Sequence, residues 1–378
     1  MTEALVTPVM LVWARERASL EDSAMAAALK VPLKKVAEWE SCASHPSFTH
    51  AEKWASVTHV PFGMLYAPKP PLEPPPPPDF RTFEGKTHQP STAFRDLYSD
   101  VQFKHDWYRH YRISEGFEAV AFVQSVRSQV SPSTLAAAMR TTLKVSREDV
   151  KASDEYFRRL VGAAEAAGVW VMRSSTVGAD THRSIKPDEF RGFAIADPIA
   201  PLVFVNVADA PNAQVFTLVH ELAHLWLGKS GVSDPLAPTA DAAERLCNAA
   251  AAEFLVPGTE LQRHWRKRDA AEEQFGVLAR EFKVSAAVVA IRAREEGLAS
   301  KREVDSFLEK QRSTWKHLKK KSSGGNYYTT LMTRNGRAFA RAVLGEASSR
   351  NLLIRDAGEL LNIHAAKVMT AARREGLG

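Results

Sequence analysis

The sequence predicts an α+β fold, mostly α-helical with a small sheet, on three observations. Apolar residues recur at helical spacing through most of the 378 residues. Three short apolar runs of strand length, bounded by turn residues, lie between positions 169 and 206. The stretch Pro68-Lys69-Pro70-Pro71-Leu72-Glu73-Pro74-Pro75-Pro76-Pro77-Pro78 suits neither a helix nor a sheet interior, so it reads as a stiff polyproline spacer. The chain should therefore divide into a head (1–67), a linker (68–80) and a large body. With 45% hydrophobic residues it can build two or three cores, which excludes wholesale disorder.

Taken in order, the head predicts short amphipathic helices at 9–17, 20–29, 33–40 and 49–57, joined by tight turns. Their spacing suggests a helix-turn-helix, with Lys30-Val31-Pro32 as the turn and 33–40 as the reading helix, where Lys34 and Lys35 are the candidate DNA contacts. Six basic residues against seven acidic ones leave this head about neutral, and phosphate affinity wants a basic face. Past the linker, helical periodicity covers 94–113, 118–129, 132–142 and 154–167. The strand-length runs follow at 169–172, 192–196 and 202–206, any of which could be the edge that accepts an added peptide strand. Between them, 174–188 reads as a loop bordering the cleft, and its His182 as an exposed side chain.

The next segment, Thr217-Leu218-Val219-His220-Glu221-Leu222-Ala223-His224-Leu225-Trp226, sets a His-Glu-x-x-His pattern in apolar surroundings. Residues four apart lie one above the other on a helix, so His220 and His224 can aim two imidazoles at one metal ion. Glu221 then sits beside a metal-bound water whose pKa the ion lowers, placed to take its proton as the water attacks a peptide carbonyl. A catalytic zinc needs a third protein ligand and one open position. An Ala-rich helix downstream, with Thr239 as N-cap and Pro257 as stop, offers Glu244 and Glu253. These are nine residues apart and face opposite ways, so only one can look at the metal. Asn248, at i+4 from Glu244, can orient a ligand by hydrogen bonding, which favours Glu244. The extended motif with glycine and a third histidine is ruled out, because those positions hold Leu227 and Ser230.

The motif, the Glu-x-x-Cys-Asn stretch at 244–248 and the Phe254-Leu255-Val256-Pro257 end resemble the ImmA/IrrE metallo-endopeptidases, in which a Cro/repressor-type (XRE) helix-turn-helix often precedes the peptidase. Cys247 stands where that family more often has alanine. The resemblance implies a zincin-like metallopeptidase domain, placed at 81–257. It also implies one Zn2+ per chain on His220, His224 and Glu244, with Glu221 as base. By the same resemblance, regulation proceeds by cleaving a protein partner such as a transcriptional repressor or antitoxin. The alternative is a non-catalytic regulator or antitoxin that binds DNA or protein and neutralises a toxin nuclease.

Basic charge concentrates at 258–378, which holds 24 Lys+Arg against 14 Asp+Glu, a surplus larger than the +6 of the whole chain. This basic helical region includes Arg263-His264-Trp265-Arg266-Lys267-Arg268 and Lys316-His317-Leu318-Lys319-Lys320-Lys321, so it or the head is the candidate DNA or acidic-protein contact. A weak internal echo pairs Lys283-Val284-Ser285-Ala286-Ala287 and Glu296-Gly297-Leu298 with Asn362-Ile363-His364-Ala365-Ala366 and Glu375-Gly376-Leu377, two helix-turn-helix-like units. Only Cys42 and Cys247 occur, which argues against a disulfide framework and for a reducing compartment. The apolar stretch 4–14 is short, contains Pro8 and lacks a basic leader, so no export signal is expected. No stretch is long enough to span a bilayer, and a cytoplasmic location follows.

Overall fold

The computed structural model describes residues 2–71, 91–127, 129–233, 241–266, 268–315 and 326–377. Residues 72–80 of the expected linker, the expected N-cap Thr239 and the basic run 316–321 lie outside them. The chain clusters into two compact units, one of Met1–Pro76 with Gln89–Ser99 and one of Pro77–His88 with Asp100–Gly378.

In the first unit, α1 (Pro8–Arg17), α2 (Asp22–Leu29), α3 (Leu33–Glu40) and α4 (Phe48–Thr58) enclose a core that includes Met25, Leu29, Val36 and Trp54. The link from α2 to α3 is sharp because Lys30 caps α2 at φ 59°. Cys42 takes φ 63°, a left-handed conformation that glycine adopts with less strain.

The elements that follow are α5 (Thr92–Ser114), α6 (Pro132–Leu143), α7 (Ser153–Ala166), β1 (Trp170–Ser174), β2 (Thr176–Val177), β3 (Asp180–Ser184), β4 (Gly192–Ile195), β5 (Leu202–Asn206), α8 (Pro211–Leu227), β6 (Gly231–Ser233) and α9 (Ala242–Leu255). Among the described residues eight helices follow: α10 (Gly258–His264), α11 (Ala271–Phe282), α12 (Ala286–Glu295), α13 (Lys301–Trp315), α14 (Tyr327–Asn335), α15 (Arg337–Ser348), α16 (Ile354–Leu361) and α17 (Ala365–Arg374). One sheet runs β1-β5-β4-β6, with β1 parallel to β5 and β4 antiparallel to both its neighbours. Every residue of β5 is buried, as a central strand packed on both faces requires. Of the three expected strands, β4 and β5 are therefore interior. The edges are β1 and the short β6, which three residues without alternation could not announce. At β1, Trp170 donates its indole N–H to Asn335 O at the end of α14 (2.6 Å).

Two segments differ from their expected secondary structure. Residues 118–127 form turns, not a helix, because their amides serve other partners: Val120 N donates to Pro198 O, Gln124 N to Leu225 O and Val126 N to Trp226 O. Val126 N satisfies a carbonyl near the end of α8, and Gln124 N shares Leu225 O with Gly228 N, tertiary bonds that outweigh local periodicity. Residues 176–184, read as loop, pair as the β2–β3 hairpin, with His182 exposed on β3.

One core joins α6–α9 to α11–α13, from Leu135 through Leu222 and Ala250 to Val289 and Val304, so burial is continuous past Pro257. The internal echo reappears in the backbone. Lys283 and Asn362 both cap a helix in left-handed conformation (φ 60° and 53°), and Gly297 and Gly376 follow the next helix at φ 70° and 71°.

Candidate active site

Helix α8 is buried without interruption from Gln214 to Trp226, so any polar group on it must find a partner inside. Its C-terminus is pinned. Gly228 takes φ 66°, Phe122 stacks on Trp226 at 4.0 Å, and the amides of Gln124 and Val126 occupy its last carbonyls. A Cβ on Gly228 would stand 2.3 Å from Gln124 Cγ, so glycine is needed there for space as well as conformation.

Against α8 packs α9, whose N-cap is Asp241, not the expected Thr239. The Asp241 carboxylate accepts hydrogen bonds from Ala243 N (2.7 Å) and Glu244 N (3.0 Å). A carboxylate complements the helix dipole better than a hydroxyl and reaches two amides at once, which fixes the first turn where Glu244 sits.

The two helices bring three donor groups together. His220 Nε2 lies 3.0 Å from His224 Nε2 and 3.3 Å from Glu244 Oε2, while His224 Nε2 lies 2.9 Å from Glu244 Oε1. All three ligand atoms fall within 4.8 Å of one another, and all three residues are buried. Burial pushes the His220 pKa down, keeping the imidazole neutral with a lone pair to give. Burial would raise the Glu244 pKa, but both imidazoles hold the carboxyl well below the usual range, so it is an anion. Two imidazoles and one carboxylate turned toward a common point form a donor set for one divalent cation. Cys247 adds nothing to it: burial pushes its thiol well up, with the Glu244 and Glu221 charges adding to the effect, so the thiol stays protonated.

The remaining expected residues sort by position. Glu221 is fully buried one step round α8. Asn248 lies close enough to His220 to raise its pKa, while among the described residues Asn248 Oδ1 and His220 Nδ1 are buried without a hydrogen-bond partner. Glu253 faces away from the histidines and pairs with Arg292 of α12. In the first unit, Lys34 is exposed and bridges to Glu38 at 3.6 Å, as does Lys35 at 2.7 Å.

Sequence reasoning missed Gly192. A Cβ there would stand 2.8 Å from Glu221 Oε1 and 2.9 Å from Phe204 O, so glycine makes the room the Glu221 carboxylate occupies. Glycine opening an apolar strand was the available signal.

This geometry stands inside a recognisable segment. Residues 164–294 match the IrrE N-terminal-like domain (Peptidase M78). That match takes in α8 and α9 whole, with His220, Glu221, His224 and Glu244, and makes this part of the chain similar to a peptidase family. The IrrE N-terminal-like segment also runs past Pro257 to α12, as the continuous core does. Residues 335–374 match a domain of unknown function, DUF8813. No curated protein matches the chain. Among the described residues no helix is long and apolar enough to cross a membrane.

Proposed function

We propose that this chain is a zinc-dependent endopeptidase that regulates by cutting a specific protein partner, a transcriptional repressor or antitoxin being the simplest candidate. The observation behind this reading is the convergence of His220, His224 and Glu244 from two packed helices, with Glu221 on the same helix as the histidines. Zn2+, one per chain, would rest on those three residues and supply Lewis acidity to a peptide carbonyl and to water. Glu221 takes the proton from the attacking water on its carboxylate and returns it to the leaving amine. Asn248 positions His220. The packed walls around Glu221 exclude bulk water and strengthen its electrostatic contacts.

We place this activity in a reducing compartment, the cytoplasm, because Cys42 and Cys247 form no disulfide. The α2–turn–α3 unit is the proposed DNA reader of the head. With Lys34 and Lys35 committed to Glu38, its phosphate contact needs those bridges to open. A mobility shift of the partner's operator by the parent chain, lost in Lys34→Ala/Lys35→Ala, tests that role.

The enzymatic test is metal content together with cleavage. Parent protein should hold about one zinc per chain, and His220→Ala and Glu244→Ala should both lose it. Glu221→Gln should keep zinc and lose cleavage. A Glu221→Gln variant that still cuts the physiological partner at the parent rate would falsify the mechanism.

A further inference from the structure

A cleft of about 1350 Å3 opens in the larger unit, where the starts of α7, α8 and α12 meet the segment leading into β4. Five cations line it (Lys151, Lys186, Arg191, Arg280, Lys283) against two carboxylates, Asp188 and Asp209. Arg191 and Asp209 pair with each other. Among the described residues the other four cations form no ion pair, and against Asp188 they leave an excess of three positive charges on a concave surface. Much of the rest of the wall is alanine and glycine, Ala210, Ala213, Gly276 and Ala279 among them, which lets a main chain approach closely. The positive ends of three helix dipoles add to the same field.

The cleft points toward the catalytic residue. A small pocket lined by Ala213 and Thr217 shares Arg191, Asp209 and Ser285 with it. Ala213, Thr217 and Glu221 are spaced i, i+4, i+8 on α8, while Gly192, next to Arg191, abuts the Glu221 carboxylate. Eight residues of helix span about 12 Å. Extended peptide covers that distance in three or four residues at roughly 3.3 Å each.

We propose that this cleft docks an acidic segment of the protein substrate, placed three or four residues from the bond that is cut. The inference rests on the peptidase reading above and gives it a substrate class. It also assigns Arg280 and Lys283, part of the basic surplus of the C-terminal third, to an acidic protein in place of nucleic acid. The start of α12, the second helix of the helix-turn-helix-like unit at 271–295, lines this cleft with Ala286 and Ala287.

The test is fluorescence anisotropy with labelled octa-glutamate and octa-glutamine on the full chain carrying Glu221→Gln, so that binding is read without cleavage. Octa-glutamate should bind at least about tenfold more tightly than octa-glutamine and weaken as salt rises. Lys186→Glu/Arg280→Glu, both at exposed positions, should cost at least about tenfold more. Lys186→Gln/Arg280→Gln should give a smaller loss, which separates charge from misfolding. Equal binding of the two peptides, or undiminished octa-glutamate binding by the charge-reversed chain, overturns the proposal. So does tight binding of pyrophosphate with none of octa-glutamate, which would make this a phosphate site. A parent chain that binds an acidic partner in this cleft yet leaves it intact defeats the peptidase reading alone.

Discussion

At the scale of single residues, the site depends on what its neighbours leave out. Gly192 has no side chain, and the Glu221 carboxylate fills the space a Cβ would take. Gly192→Ala should therefore displace the carboxylate while leaving the three donor groups in place. Cleavage should fall by at least about tenfold with zinc content unchanged, since displacements of this size can cost about a hundredfold. Retained activity in that variant would remove Gly192 from the argument. The cysteines give a second residue-scale prediction. Cys42 is exposed, while Cys247 is buried with its thiol pushed well up. One thiol per native chain should react with an aromatic disulfide reagent at mild alkaline pH and two after denaturation, and Cys42→Ser should abolish the native reaction.

At the scale of elements, α8 is held in place by segments distant in the chain. Gly228→Ala would force a left-handed alanine against Gln124 and disturb the turn that caps the helix. It should destabilise the protein by about 1–3 kcal/mol in chemical denaturation, and pairing it with Gln124→Ala should recover part of the loss. Helix α7 makes a pH-dependent contribution through Tyr156, a buried core residue whose phenol burial pushes up to about 12. The unfolded phenol ionises near 10. Below that value both states hold the proton and the contribution is complete. As pH rises from about 10 to 12 the unfolded chain sheds the proton first, so stability falls. The parent should lose about 2–3 kcal/mol relative to Tyr156→Phe over that window. Parallel stability curves for the two proteins would exclude this account.

At the scale of the larger unit, buried polar networks hold helices far apart in sequence. Lys104 of α5 is almost fully buried, bonded to Asp100 (2.7 Å) and to Asn335 Oδ1 on α14 (3.0 Å). Asn362, in the turn between α16 and α17, donates to the same Asp100. Asp100→Ala should cost about 3–5 kcal/mol, because it leaves an ammonium buried with one neutral acceptor. Adding Lys104→Met should restore most of that stability, as measured in a double-mutant cycle. If the double variant is no better than Asp100→Ala alone, the ammonium is not the source of the loss.

Much of this was legible in the sequence because it follows from local spacing. Histidines at i and i+4 on an apolar helix share one face whatever surrounds them, and Glu244 was singled out through its own i+4 neighbour Asn248. Strand-length apolar runs likewise announced β1, β4 and β5. Where a segment answered to groups remote in the chain, its own pattern misled. Residues 118–127 show helical periodicity, yet two of their amides bond to the last carbonyls of α8, a partner that their own pattern does not encode. Strand β6 is too short to show a period, and only pairing with β4 creates it. Gly192 matters because Glu221 arrives beside it, and the cationic cleft gathers residues 151 to 283 onto one surface. The sequence by itself determined which side chains can perform the chemistry, since periodicity is a property of the local backbone. Tertiary structure alone decided which of them meet, and what lies between them, since burial and pairing depend on every segment packed around the site.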